Sequence, residues 1–476
     1  MIDTQSLRTK ILDLAMRGQL TEQLPEDGTA EELYQQIQAE KQALIKAGKI
    51  KKEKPLPEIT EGEKPFAIPE SWKWVRIGSV FKIEMGQSPE GNSVSNKGDG
   101  IEFHQGKIFF GAKYLNDSGL RTNMPTKIAD ANSVLLCVRA PVGKVNISSR
   151  KICIGRGLCA IAPISNTILL DFLYYALIIC EKAFVDQATG STFAAIGGDI
   201  IKKQLVPLPP LREQKRIVQK VIQVYSALDT IDELQTQYAD NLTVLKSKLI
   251  DAAIQGKLTE QLPEDGTAEE LYRQIQEDKQ KLIKAGKMKK EALVSEVFNE
   301  PYDIPNSWKW VRLGSVASVL GGKRIPAGRS LTQEDTGHKY IRISDMKNNT
   351  VQINGLLFVP EDIYPSISQY IINKEDVYIT VAGTIGRVGK IPPEIDGANL
   401  TENADRIVFS HLNQDWLIIC LSASVVQKQI EYLTTSVAQP KLAIKRIQEF
   451  LIPLPPIAEQ KRIVARLDQV LATIEV

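Results

Sequence analysis

At 476 residues the chain is long enough for two to four domains with cores of their own. Its charge is nearly balanced, 59 Lys and Arg against 57 Asp and Glu, so net charge alone selects no acidic or basic partner. No apolar run reaches the ~18 residues of a membrane span, and Met1 opens a polar, helix-forming segment unlike a secretory signal.

Residues 1–17 read as a helix. Thr29 precedes Ala-Glu-Glu-Leu, a Thr-x-x-Glu capping box that predicts a helix to about Ala47, with Gly48 as its stop. A Lys-rich, Pro-containing linker, 49–69, follows. From Trp72 to Val206 the texture changes to short apolar runs broken by Gly, Asn, Asp and Ser, the pattern of a mainly β unit. Val134–Arg139 reads as a strand there, and 169–186 as a helix. After Pro207-Leu208-Pro209-Pro210, some 40 residues run without Pro or Gly. Apolar residues recur at alternating spacings of three and four from Ile217 to Ala252, interrupted only by Gln235. That is a coiled-coil seam over five heptads on a helix roughly 60 Å long. A single long bundle helix would share the pattern. Thr267 then repeats the capping box, Gly286 the stop, and 287–305 the linker. A second β-textured segment, 308–452, carries expected strands at 339–343, 377–381 and 406–409 and a helix at 415–433. The five cysteines lie in apolar settings such as Leu136-Cys137-Val138 with no C-x-x-C pair, as expected of reduced core thiols in a cytoplasmic protein.

The chain repeats itself. Gly18–Glu53 and Gly256–Glu291 are identical at 30 of 36 positions. Ile68-Pro69-Glu70-Ser71-Trp72-Lys73-Trp74-Val75-Arg76 returns as Ile304-Pro305-Asn306-Ser307-Trp308-Lys309-Trp310-Val311-Arg312. Leu208-Pro209-Pro210 and Glu213-Gln214-Lys215-Arg216-Ile217-Val218 return as Leu454-Pro455-Pro456 and Glu459-Gln460-Lys461-Arg462-Ile463-Val464. The two segments between these markers share little identity. The last 19 residues match the first half of the long helix, and Met1–Arg17 match its second half, with 231–238 left unmatched. The order is that of a two-fold ring cut within its second long helix, which predicts that the terminal helices form a split, antiparallel partner to 211–252. The apolar seam residues Leu7, Ile11, Leu14, Leu245, Leu249, Ile463 and Leu467 are the candidates for partner contact.

Positive charge gathers in the variable segments. Residues 72–206 hold 16 basic and 10 acidic residues, and 308–452 hold 16 and 14, which leaves the remainder net acidic. Such a bias suits an approach to phosphate. Gly143-Lys144-Val145 and Gly386-Arg387-Val388 each follow a strand as a Gly turn presenting a cation. Gly86-Gln87-Ser88-Pro89 and Gly321-Gly322-Lys323-Arg324 fall at matching places, and such amide- and guanidinium-bearing loops suit hydrogen bonding to base edges. His104-Gln105-Gly106-Lys107, Arg139, Ser191-Thr192 and Gln439-Pro440-Lys441 are further loop candidates. Ordinary turns use the same residues. A nucleotide-binding Gly-rich strand–helix turn, a Walker loop and an Asn/Asp-Pro-Pro-Tyr methyltransferase motif are missing, and the three histidines are isolated, without metal-ligand spacing. The chain therefore reads as a non-catalytic binding protein.

Two variable segments alternating with repeated helical regions, bounded by the Pro-Leu-Pro-Pro…Glu-Gln-Lys-Arg-Ile-Val and Ile-Pro-x-Ser-Trp-Lys-Trp-Val-Arg markers, resemble the specificity subunit of type I restriction-modification enzymes over essentially the whole chain. The resemblance implies an α+β architecture. Two mainly-β target recognition domains, each with some helix, would be separated by long antiparallel coiled-coil helices in a circular pseudo-two-fold repeat. The expected boundaries are 1–70 (helical region and linker), 71–210 (first recognition domain), 211–306 (central helices and linker), 307–456 (second recognition domain) and 457–476 (C-terminal helix). Each recognition domain would read one half of a bipartite double-stranded DNA target. The helices would set the spacer and dock two methyltransferase (modification) subunits, which restriction/translocase subunits join. S-adenosylmethionine, ATP and Mg belong to those partners, and no cofactor is expected on this chain. A coiled-coil scaffold carrying two β modules for protein or glycan is the other reading.

Overall fold

The helical segments begin where the caps place them. Thr29 accepts a hydrogen bond from Glu32 N, and Glu32 answers Thr29 N at 3.1 Å, opening helix Ala30–Lys46. Thr267 and Glu270 do the same for Ala268–Lys284. Both helices end at glycines of positive φ, Gly48 (70°) and Gly286 (68°), as a left-handed C-terminal turn requires. The long helix runs from Leu211 to Ile254, 44 residues. This computed structural model describes residues 1–96, 99–165, 168–189, 194–286, 297, 300–434 and 441–474. The chain divides into two units, Met1–Thr236 and Gln237–Val476, each with its own share of the long helix.

In the first unit, Lys73–Arg76 pairs antiparallel with Leu205–Leu208, which closes the variable segment at its base. A four-stranded antiparallel sheet follows in the order Phe81–Met85, Leu158–Pro163, Ser133–Cys137, Val145–Ser148. Its strand Ser133–Cys137 is buried at every residue, because both faces are covered. Val134 and Leu136 join the core that holds helix Leu170–Ile179, while Leu135 and Cys137 face a second core under a five-stranded mixed sheet. That mixed sheet sets Ile101–His104 parallel to Ile152–Ile154.

The second unit repeats the plan. Lys309–Arg312 pairs with Leu451–Leu454. The four-stranded sheet runs Ala317–Gly321, Ala404–Phe409, Val377–Thr380, Val388–Lys390, and a mixed sheet sets Lys339–Ile341 parallel to Ala398–Leu400. The two long helices expected in the variable segments are each broken. Leu170–Ile179 is followed by Glu181–Asp186, and Gln414–Ser422 by Ser424–Thr434, with the second break at Ala423 in extended geometry.

The repeated Glu-Gln-Lys-Arg motif locks each unit. Glu213 is fully buried and accepts from Trp72 Nε1 (2.7 Å), Gln23 Nε2 (2.9 Å) and Thr21 Oγ1 (3.3 Å). Glu459 accepts from Trp308 Nε1 (2.8 Å), Gln261 Nε2 (2.9 Å) and Thr259 Oγ1 (3.3 Å). Gln214 bonds Leu169 N and Pro209 O, and Gln460 bonds Asn413 N and Pro455 O. Arg216 pairs with Asp27, and Arg462 with Asp265. A buried carboxylate is tolerated only with several donors, and here they come from the segment 18–27, the Trp loop and their repeats. The shared motif therefore ties the helical frame to the base of each β unit.

The N-terminal helix Thr4–Met16 runs antiparallel to the first half of the long helix: Ile2 meets Gln235, Thr4 meets Asp232 (2.6 Å), and Arg8 meets Asp229 (2.7 Å). The seam is not continuous, however. Ile217, Val221 and Leu228 are buried, whereas Tyr238 and Leu245 are exposed and Leu242 between them is half-buried.

Candidate nucleic-acid interface

The loops at the ends of the two sheets of the first unit converge. Gly86 N donates to Leu158 O and Gln87 N to Ile154 O, which seats the loop Gly86–Ser88 beside the turn Gly155-Arg156-Gly157. Gly155 N donates to His104 O, and Gly157 N to Gln105 O. The Ser88 hydroxyl donates to Gln105 Oε1 (2.7 Å) and accepts from Arg156 N (3.3 Å). The approach is close enough to demand glycine: a Cβ on Gly155 would lie 2.2 Å from Gln105 Oε1. Val138 N donates to Gly157 O, bringing the exposed Arg139 to the same edge. Gln87, Ser88, Gln105, Arg139 and Arg156 thus form one junction of amide, hydroxyl and guanidinium groups, the inventory that hydrogen bonding to base edges and phosphates uses.

The second unit builds the same junction from other side chains. Gly322 N donates to Ala404 O, Lys323 N to Leu400 O, Thr401 N to Ile341 O, and Val381 N to Asn403 O. By these bonds Lys323 stands where Gln87 stands, Arg324 where Ser88 does, Arg342 where Gln105 does, and Glu402 where Arg156 does. Arg324 Nε donates to Glu402 Oε1 (2.6 Å), and Lys441 Nζ to Glu402 O (3.3 Å). Burial pushes the Glu402 carboxyl up, but the Arg324 guanidinium with a backbone N–H and the Thr401 hydroxyl together hold Glu402 below the usual range. Beneath them Asp405 is 4% exposed, its Oδ2 without a hydrogen-bond partner, and burial pushes its pKa up to about 7 against a partial offset from Lys441. The strand pairings put Asp405 at the place of Cys159 in the first unit.

A model of the type I restriction modification DNA specificity domain matches residues 69–237 and again 305–476. The chain belongs to this family of type I specificity subunits. The EcoAI specificity subunit of Escherichia coli is 28% identical over 98% of this chain and 89% of its own length. The EcoEI specificity subunit of the same species is 26% identical over 98% and 88%. The HsdS subunit from Thermoanaerobacter tengcongensis has a TM-score of 0.52 at 20% identity over 87% of this chain and 92% of its own, a likeness of fold.

Within this specificity subunit, other expected site residues fall in varied settings. Lys107 and Arg387 are exposed. Lys144 is half-exposed but paired to Glu181 at 2.7 Å, so its charge is already met within the unit. His104 must be corrected: it is fully buried, its Nε2 2.6 Å from Glu102 Oε1 and its ring edge-on to Phe109, out of reach of a duplex. Burial outweighs Glu102 and lowers its pKa, favouring the neutral ring. Ser191, Thr192 and Gln439 lie outside the described residues. Of the apolar candidates, Leu7 and Leu245 are exposed, Leu14 is half-buried, and Ile11 and Leu249 pack partly against the cores of their own units. Ile463 and Leu467 are enclosed in the second unit's core together with Ala253 and Ile254 at the end of the long helix. Sequence reading passed over Arg156, Arg342 and Glu402. The signal for Arg156 was a lone cation between two glycines, interrupting the apolar run from Ile152 to Ala162.

Proposed function

We propose that this specificity subunit reads a bipartite duplex, one half-site through each unit's junction. The observation that carries the reading is one backbone hydrogen-bond frame built twice with different side chains at its edge. A repeated frame suits two half-sites, and differing side chains suit an asymmetric sequence. The long helix sets the spacer between the half-sites. The repeated helical parts dock two methyltransferase subunits, and restriction/translocase subunits join that assembly. S-adenosylmethionine, ATP and Mg serve those partners, and this chain contributes recognition without catalysis. Membership of the DNA specificity family disfavours a scaffold for protein or glycan. The test is exchange of residues 72–206 for the matching segment of a relative, with the methylated motif read by genome sequencing. One half of the motif should change and the other persist. A change in both halves would refute the assignment of one half-site to each unit.

A further inference from the structure

The two junctions share a backbone, but their charge sits on opposite loops. Gly86 crosses the turn 155–157 so closely that a Cβ would lie 2.1 Å from Gly155 O, and Gly322 crosses its own turn at the same 2.1 Å from Thr401 O. Across that crossing, Ser88 faces Arg156 in one unit and Arg324 faces Glu402 in the other. In the first unit the loop residue is neutral. Its hydroxyl holds the Arg156 backbone, and among the described residues no hydrogen bond or ion pair engages the Arg156 guanidinium. In the second unit the cation has moved to the loop, and the turn carries the carboxylate that grips it. The Arg324 side chain is still 73% exposed, while that of Glu402 is only 21% exposed. Each junction therefore presents a guanidinium from a fixed backbone, one without a side-chain partner among the described residues and one braced by an acid.

We propose that Arg156 and Arg324 are the specificity-determining residues of their respective half-sites, each reading the O6/N7 edge of a guanine, and that Glu402 is a positioning residue for Arg324. This rests on the DNA-reading function above. A guanidinium fork matches two acceptors on one base edge, which an ammonium does not, and its reading is sharpest when the fork is held in one orientation. Ser88 and Gln105 fix the base of Arg156 through backbone and hydroxyl bonds. Glu402 takes Arg324 Nε, and among the described residues nothing hydrogen-bonds the terminal nitrogens, which can face the base.

The test uses the full chain with its methyltransferase subunits. It reads the methylated motif and the binding of duplexes changed at one base pair, at several salt concentrations. Arg156→Ala should lower discrimination at a single G·C position of one half-site by roughly 5- to 100-fold and leave the other half intact. Arg324→Ala should do so in the other half. Arg156→Lys keeps the charge, so it should lose the discrimination yet hold the salt dependence. Glu402→Gln should relax the same position as Arg324→Ala while binding to unrelated duplex holds or tightens, since a negative charge leaves the surface; a purely structural role would not select that position. An unchanged motif in Arg156→Ala and Arg324→Ala overturns the proposal. So does a uniform loss across all duplexes with a salt slope lower by about one, the mark of a phosphate contact. Relaxation of both half-sites by one variant would instead sink the one-unit, one-half-site reading.

Discussion

Replacing Glu213 by alanine tests the claim that the repeated motif locks each unit. The carboxylate is fully buried and satisfies three donors, from Trp72, Gln23 and Thr21. Alanine leaves the buried Trp72 Nε1 without a partner and removes the acceptor from two further groups. An unsatisfied buried donor costs about 1–3 kcal/mol. Thr21 and Gln23 are partly accessible and recover some hydration, so the total should be roughly 3–5 kcal/mol, a large part of the ~5–15 kcal/mol that holds a domain. Glu213→Gln keeps one acceptor oxygen but turns an N–H toward another donor, and should cost about 1–3 kcal/mol. Glu459→Ala should match Glu213→Ala, because its donors and distances repeat. Hydrogen exchange resolved by peptide reports each unit separately, with circular dichroism in urea as the companion measurement. A loss under about 1 kcal/mol for Glu213→Ala, or protection lost equally in both units, would refute the reasoning.

Three further outcomes follow from the geometry. Asp405 has a folded pKa of about 7 against an ordinary 3.8, so its proton favours the folded state. That stability is complete below about 3.8, falls as pH rises, and is gone above about 7; Asp405→Asn should therefore stabilise the second unit by roughly 3–4 kcal/mol at pH 8 and barely at pH 4, checked by Tm against pH. Gly18→Ala and Gly256→Ala should each cost about 2 kcal/mol or more, measured by urea unfolding, because both glycines hold φ of 70° and a Cβ would strike Pro69 or Pro305 at 2.4 and 2.5 Å. A heptad inserted after Tyr238 lengthens the helix by about 10 Å, close to three base-pair steps; the spacer in the methylated motif should grow by about one to three base pairs, and an active variant with the parental spacer would show that this helix is not the ruler.

What was legible in the sequence was local or periodic. Capping boxes and C-terminal glycines are set by neighbours three or four residues apart, so both short helices begin and end as read. The strand runs were close: Val134–Arg139 became Ser133–Cys137, and Val377–Val381 became Val377–Thr380. Helix continuity was not visible, because apolar composition carries across Cys180 and Ala423 where the backbone turns. The seam pattern runs the length of the helix, but a heptad does not say which of its turns are covered, and Tyr238 and Leu245 are not. At the junctions the limit was register. Gln87, Ser88 and Arg139 stand out as polar residues in Gly- and strand-edge contexts, but Arg156 joins them through bonds to residues 50 to 70 positions away. Depth was equally hidden. His104 sits in a turn-like string of polar residues, yet Glu102 and Phe109 take it inside. Lys144 looks like a presented cation until Glu181, on a helix later in the chain, meets it.

The duplication explains how such different junctions can share a frame. Most of the bonds that fix the crossing loops are made by backbone groups. The buried Glu of the repeated motif takes its donors from repeated segments, while the Gln takes one backbone N–H of each variable segment, from Leu169 and Asn413. None of these backbone and buried bonds depends on which side chain stands at 87 or 156, or at 323, 324 or 402, although the Ser88 hydroxyl adds bonds of its own to Gln105 and Arg156 N. Substitution at the edge therefore leaves most of the folding energy untouched. The limit appears one layer down. Where Cys159 fits its apolar surroundings, with burial raising the thiol to about 12 and keeping it neutral, Asp405 brings a carboxyl that burial also drives toward its neutral form. Lys441 lowers that penalty from the edge above. Changing the surface cation and changing the residue beneath it are thus coupled in the second unit and independent in the first. Arg156 should therefore tolerate exchange alone, whereas Lys441→Ala should raise the Asp405 pKa further and weaken the second unit above neutral pH. Asp405→Asn should abolish that sensitivity. If Lys441→Ala destabilises the second unit equally with Asp and with Asn at 405, the coupling is absent and the lysine acts elsewhere.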